Sequence, residues 1–94
     1  MKIEEAQEWV KEAWSKSEKT MSKLVELASL IEECGELAEA IRKIEHGKDC
    51  QVDIEKEMGD ILLSLITLAI RYDVNLQKAF DKTMDSVKKK YIVK

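Results

Sequence analysis

Asp53-Ile54-Glu55-Lys56-Glu57-Met58-Gly59-Asp60-Ile61-Leu62-Leu63-Ser64-Leu65-Ile66-Thr67-Leu68-Ala69-Ile70-Arg71 has the sharpest hydropathy pattern in this 94-residue chain. Between Met58 and Ile70 the only polar side chains are Asp60, Ser64 and Thr67. Adding Asp53, Glu57 and Arg71 gives spacings of 4, 3, 4, 3 and 4. Such spacing draws one polar seam along an otherwise apolar helix. The pattern predicts a helix over residues 54–72 in the middle of a bundle, opened by Asp53 as N-cap. Its apolar circumference exceeds what one small subunit can cover, so a dimer or a dimer of dimers is expected.

Working outward, apolar spacing predicts a first helix over residues 2–15, with Ile3, Ala6, Trp9, Val10, Ala13 and Trp14 on one side. The polar run Lys16-Ser17-Glu18-Lys19-Thr20 interrupts it. A second helix is expected over residues 21–45, its stripe formed by Leu24, Leu27, Ala28, Ile31, Cys34, Ala38 and Ile41, widened by Leu30, Leu37 and Ile44. His46-Gly47 should stop it, because glycine tolerates the left-handed conformation. Lys48 to Val52 reads as a short connection. Asp73-Val74 turns the chain, and Asn75 caps a fourth helix whose apolar side is Leu76, Ala79, Phe80, Thr83, Met84 and Val87. That helix ends in Lys88-Lys89-Lys90. The expectation is a single all-α domain over residues 1–94, a bundle of about four helices that assembles as an oligomer.

Composition agrees. Proline is absent, and glycine occurs three times. Glu, Lys, Leu, Ile and Ala, good helix formers, are abundant. The net charge of −3 argues against a nucleic-acid polymer as partner, since phosphate backbones select basic faces. A free nucleotide is compatible, because a metal can bridge it to carboxylates. Asp60, Ser64, Thr67 and Arg71 interrupt the best membrane-span candidate, and Met1 leads straight into a charged segment. The two cysteines lack metal-type spacing. A reduced, cytoplasmic protein is expected.

One acidic phrase occurs twice. Glu33-Cys34-Gly35-Glu36-Leu37 returns as Glu57-Met58-Gly59-Asp60-Ile61, offset by 24 residues. Residues three apart share a helix face, so each phrase aims two carboxylates the same way. An antiparallel helix pair would bring four together. Four ionised acids in a confined space raise one another's pKa values, and a hard cation such as Mg²⁺ or Mn²⁺ relieves that penalty. The bland alternative, four solvated acids, fits Asp60 poorly, since aspartate on a mostly apolar helix carries a propensity cost. Gly35 and Gly59 point to close helix approach, because mid-helix glycine costs roughly 1 kcal/mol against alanine. A di-iron bundle needs Glu-x-x-His pairs, and the only histidine is His46 in the expected turn.

With twenty residues between Glu36 and Glu57, Glu32-Glu33-Cys34-Gly35-Glu36 and Glu57-Met58-Gly59-Asp60 resemble the EExxE…ExxD signature of the MazG-like nucleotide pyrophosphohydrolases. These belong to the all-α NTP pyrophosphatase superfamily, with the dimeric dUTPases, the dCTP pyrophosphatases and phosphoribosyl-ATP pyrophosphatase. The similarity covers residues 24–91. It implies Mg²⁺-dependent cleavage between the α and β phosphates, giving a nucleoside monophosphate and pyrophosphate. Carried over by position, Glu33, Glu36, Glu57 and Asp60 would be metal ligands. Glu32, beside Glu33, would assist the metal or orient the attacking water.

Other carry-overs rest on thinner matches. Lys88, Lys89 and Lys90 resemble the family's basic run that neutralises phosphate, although cations at a helix C-terminus are favourable anyway. Met84 and Val87 stand where many relatives carry Asn or Lys, which leaves Lys78 and Lys82 as substitutes. The resemblance also implies that Trp14, more than Trp9, stacks on the base; core or interface packing is the plain alternative. Cys34 reads as a small buried hydrophobe, His46 as a turn residue, and Arg71 as an acid's partner. The expected function is a house-cleaning nucleoside triphosphate pyrophosphohydrolase acting on non-standard or excess nucleotides. The rivals are phosphoribosyl-ATP pyrophosphatase and a non-catalytic helical interaction module with acids bridging a dimer interface.

Overall fold

A computed structural model describes residues 1–17, 22–47 and 52–91. Four α-helices follow one another: α1 Ile3–Ser15, α2 Lys23–Glu45, α3 Ile54–Arg71 and α4 Leu76–Lys90. The described residues contain no strand, as an all-α bundle requires. The expected start of the second helix at Met21 and most of the 48–52 connection lie outside the described residues.

Capping chemistry explains the helix boundaries. Ser22 Oγ accepts from the Val25 N–H at 3.1 Å. Asp53 Oδ1 accepts from the Lys56 N–H at 2.9 Å, and Asn75 Oδ1 from the Lys78 N–H at 3.0 Å. Each side chain satisfies a donor that a helix start leaves without a backbone partner. Past the end of α2, Gly47 takes a positive φ of 65°, as its sequence position predicted. Asp73, at φ 54°, makes the corner between α3 and α4.

α2 and α3 form the main packed pair. They run antiparallel, since Glu26 near the start of α2 meets Arg71 at the end of α3, while Glu33 and Glu36 meet Glu57 near the start of α3. α1 lies across α3 and holds its corner with α4. There Gln7 Nε2 donates to the Val74 carbonyl at 2.6 Å, and Gln7 Oε1 accepts from the Leu76 N–H at 3.0 Å. α4 packs on α1.

Three expectations need correction. The side of α2 that faces α3 carries Glu26, Leu30, Glu33, Leu37 and Ala40, all buried or half-buried. The longer stripe of Leu24, Leu27, Ile31, Cys34, Ala38 and Ile41 is exposed. Cys34 is therefore an exposed free thiol, not a buried hydrophobe. A Cβ added at Gly35 or Gly59 would meet nothing within 4 Å. Neither glycine marks a close helix approach among the described residues.

The interior is thin. Among the described residues, Val10, Ala40, Ile66 and Ala69 are the buried apolar ones. Met58, Leu62, Leu63 and Leu65 of α3 remain exposed, so this chain leaves much of that helix uncovered. Among the described residues, no helix is long and apolar enough to cross a membrane.

Candidate metal centre

In the first turn of α3, and midway along α2, three acids converge. Carboxylate oxygens of Glu33, Glu36 and Glu57 all lie within 4.8 Å of one another. The i,i+3 spacing puts Glu33 and Glu36 on one side of α2, and the antiparallel pairing delivers Glu57 to them. Glu33 Oε2 and Glu57 Oε2 are buried without a hydrogen-bond partner among the described residues. Burial pushes the Glu33 carboxyl above its ordinary value, and the charges of Glu36, Asp60 and Glu57 push it further; Lys56 opposes them. Two buried oxygens lacking donors, beside a third acid, form an all-oxygen set that fits a hard divalent cation.

Asp60 lies within electrostatic reach of Glu33 but outside the tight trio. Its Oδ2 accepts from Lys56 Nζ at 2.7 Å. That hydrogen bond, with the charge of Asp60, raises the Lys56 pKa, and Glu57 and Glu33 add to it. Lys56 thus places a cationic head among the acids. Its i,i+4 spacing to Asp60 was a legible signal that the acidic repeat overshadowed.

Glu32 is exposed and lines an open groove of about 550 Å³ with Glu36, Lys43, Val52 and Glu57. It stands beside the trio rather than in it. Lys43, not singled out by sequence reasoning, contributes a cation to this groove. Lys82, Lys88 and Lys89 are exposed on α4 and line neither the groove nor the cavity described next. Lys88, Lys89 and Lys90 occupy the last turn of α4, where positive charge meets the negative end of the helix dipole.

Trp9 and Trp14 border a cavity of about 380 Å³ between α1, α2 and α3, reached also by Glu26, Ser29, Ser64 and Thr67. Ser64 and Thr67 continue the polar seam of α3 beyond Asp60. Arg71 ends that seam and, as expected, pairs with an acid: its Nη1 lies 3.5 Å from Glu26 Oε1. Sequence reasoning missed Glu26, because an acid in a helix's first turn reads as a dipole partner.

Comparisons with known proteins place the chain in a family. The family model of the MazG nucleotide pyrophosphohydrolase domain matches residues 22–92. The uncharacterized protein YvdC of Bacillus subtilis (strain 168) is 29% identical over 103 residues, covering 97% of this chain and 97% of its own. The uncharacterized protein YpjD of the same organism is 35% identical over 68 residues, covering 67% of this chain and 61% of its own. No solved structure matches significantly. With the family model spanning α2, α3 and α4 and all of the acidic trio, the chain belongs to the MazG nucleotide pyrophosphohydrolase domain family.

Proposed function

We propose that the protein hydrolyses nucleoside triphosphates to monophosphate and pyrophosphate, as a cytosolic house-cleaning enzyme for non-standard or excess nucleotides. The observation that carries this reading is the convergence of Glu33, Glu36 and Glu57 with two buried oxygens lacking donors. These three acids would hold Mg²⁺ or Mn²⁺, and Asp60 would join them if Lys56 turned from it toward a phosphate. The bound ion supplies charge neutralisation and acidifies water. Glu32, on the groove wall, orients the attacking water and accepts its proton. The water oxygen bonds to the α-phosphorus while the bond to the bridging oxygen breaks, and that oxygen leaves with pyrophosphate. Positioning and electrostatics suffice for phosphoryl chemistry of this kind, so no covalent nucleophile is needed.

The Trp14 cavity takes the base. Lys82, Lys88 and Lys89 reach phosphate only where a second copy brings its α4 over a neighbouring centre, which fits a homodimer or a dimer of dimers.

The test is a nucleotide panel with Mg²⁺, read for monophosphate plus pyrophosphate. Release of orthophosphate, or no turnover of any nucleotide, would defeat the proposal. Glu36→Gln should abolish turnover while the helical circular-dichroism spectrum stays close to wild type. Mg²⁺ should raise the melting temperature relative to EDTA, and more so with nucleotide. A non-catalytic interaction module would show no such shift.

A further inference from the structure

Glu26 is buried, with its side chain 8% exposed, and it lines the tryptophan cavity. Arg71 meets only one of its oxygens, at 3.5 Å. Among the described residues, Glu26 Oε2 has no hydrogen-bond partner. A buried carboxylate oxygen without a donor is costly unless a ligand supplies one. Thr67 sharpens the demand: its hydroxyl donates to the Leu63 carbonyl at 3.0 Å, so toward the cavity its oxygen can only accept. Glu26 Oε2 and the Thr67 hydroxyl oxygen thus both call for a donor from whatever fills the cavity.

Its position says where such donors would come from. Glu26 and Glu33 are seven residues apart on one face of α2, about 10 Å along the helix axis. On α3, Ser64 follows Asp60 by one turn. Cavity and acidic centre are therefore consecutive stations on one helix pair, as the base and phosphates of one nucleotide require.

We infer that Glu26 selects nucleotides whose base carries an exocyclic amine, namely adenine, guanine or cytosine. The inference rests on the hydrolase reading above and narrows it to excess or altered nucleotides that keep the amine, not deaminated ones. An amine proton bonds to Glu26 Oε2 while Trp9 and Trp14 flank the ring. In the deaminated counterparts hypoxanthine, xanthine and uracil, a carbonyl oxygen replaces the amine, so an acceptor faces an acceptor. The lactam N–H these bases present lies beside that carbonyl, which then opposes the other Glu26 oxygen. Sites built to bond a substrate N–H discriminate strongly against analogues lacking it.

The experiment measures kcat/KM of the wild-type protein for ATP against ITP, GTP against XTP and dCTP against dUTP, with Mg²⁺. Tryptophan emission is followed in parallel, since Trp9 and Trp14 are the only tryptophans and both border the cavity. In every pair that is turned over, the amine-bearing member should win by about tenfold or more, and nucleotide should quench the emission. Glu26→Gln, which offers an amide in place of the second oxygen, should shrink that ratio by a similar factor. The wild-type panel decides the matter even if this variant misfolds with Arg71 unpaired. Turnover with a ratio below tenfold, or a reversed one, overturns the inference and leaves the hydrolase reading standing. Turnover without quenching also overturns it, and assigns the cavity to another occupant such as a second copy of the chain. No turnover of any nucleotide removes both proposals together.

Discussion

Glu33 Oε2 is buried without a donor, and burial with the charges of Glu36, Asp60 and Glu57 holds its carboxyl above the ordinary value of 4.5. In the unfolded chain those causes vanish. Between the ordinary and the raised value the native state therefore binds more protons than the unfolded one, and stability falls as pH rises through that window. Urea unfolding in EDTA should show Glu33→Gln gaining stability relative to wild type as pH climbs from about 4.5 toward neutrality. A pH-independent difference would contradict the assigned environment. Mg²⁺ should reverse the trend for wild type, since metal and proton compete for the same oxygens. The trio itself was legible in the sequence, because i,i+3 acids on two consecutive helices can converge only in a few ways. The Lys56–Asp60 pair and Glu26 were harder to see. One is a common surface spacing, and the other acquires meaning only when Arg71, 45 residues away, arrives beside it.

Helix boundaries were legible at the scale of elements where the start carries its own capping chemistry, as at Asp53 and Asn75; α1, opened by Lys2, has no side-chain cap. Asp53 accepts from Lys56 N–H one turn before Glu57, so the cap that opens α3 also steadies an acid of the trio. Asp53→Ala should cost about 1 kcal/mol, a drop of roughly 4–8 °C in melting temperature for a domain this size. It should also reduce the stabilisation conferred by Mg²⁺, as the first turn of α3 frays. An unchanged melting temperature would mean that tertiary packing alone defines the start of α3. Gly47→Ala, at φ 65°, should be destabilising for a different reason: a Cβ is disfavoured in that conformation. Facing was less legible than extent. α2 has apolar residues around more than half its circumference, so periodicity alone could not say which side meets α3. The acids Glu26 and Glu33 lie on the packed side, where a purely hydrophobic criterion would not place them.

For the whole molecule, the decisive quantities are area and shape. The chain exposes 7789 Å², whereas a compact monomer of its 10.8 kDa mass exposes roughly 5,500 Å². Its radius of gyration is 16.3 Å, against about 12 Å for a compact domain of this length. The excess of roughly 2,200 Å² per chain surpasses the about 800 Å² each partner contributes to a standard interface. Large apolar side chains contribute to it. Leu24 and Ile31 of the outer α2 stripe are 74% and 63% exposed, and Met58 of α3 is 53% exposed. The spacing of Leu24, Leu27, Ile31, Cys34, Ala38 and Ile41 alternates between 3 and 4, the seam along which a second helix packs. Light scattering after size exclusion should therefore report a dimer or tetramer at micromolar concentration. Ile31→Glu, on the side of α2 away from the acidic trio, should shift the mass toward monomer and lower the melting temperature. The Glu33, Glu36 and Glu57 arrangement lies within one chain, so the residual monomer should retain some Mg²⁺-dependent stabilisation. A wild-type protein that stays monomeric and stable would show instead that this flat bundle tolerates its exposed stripe.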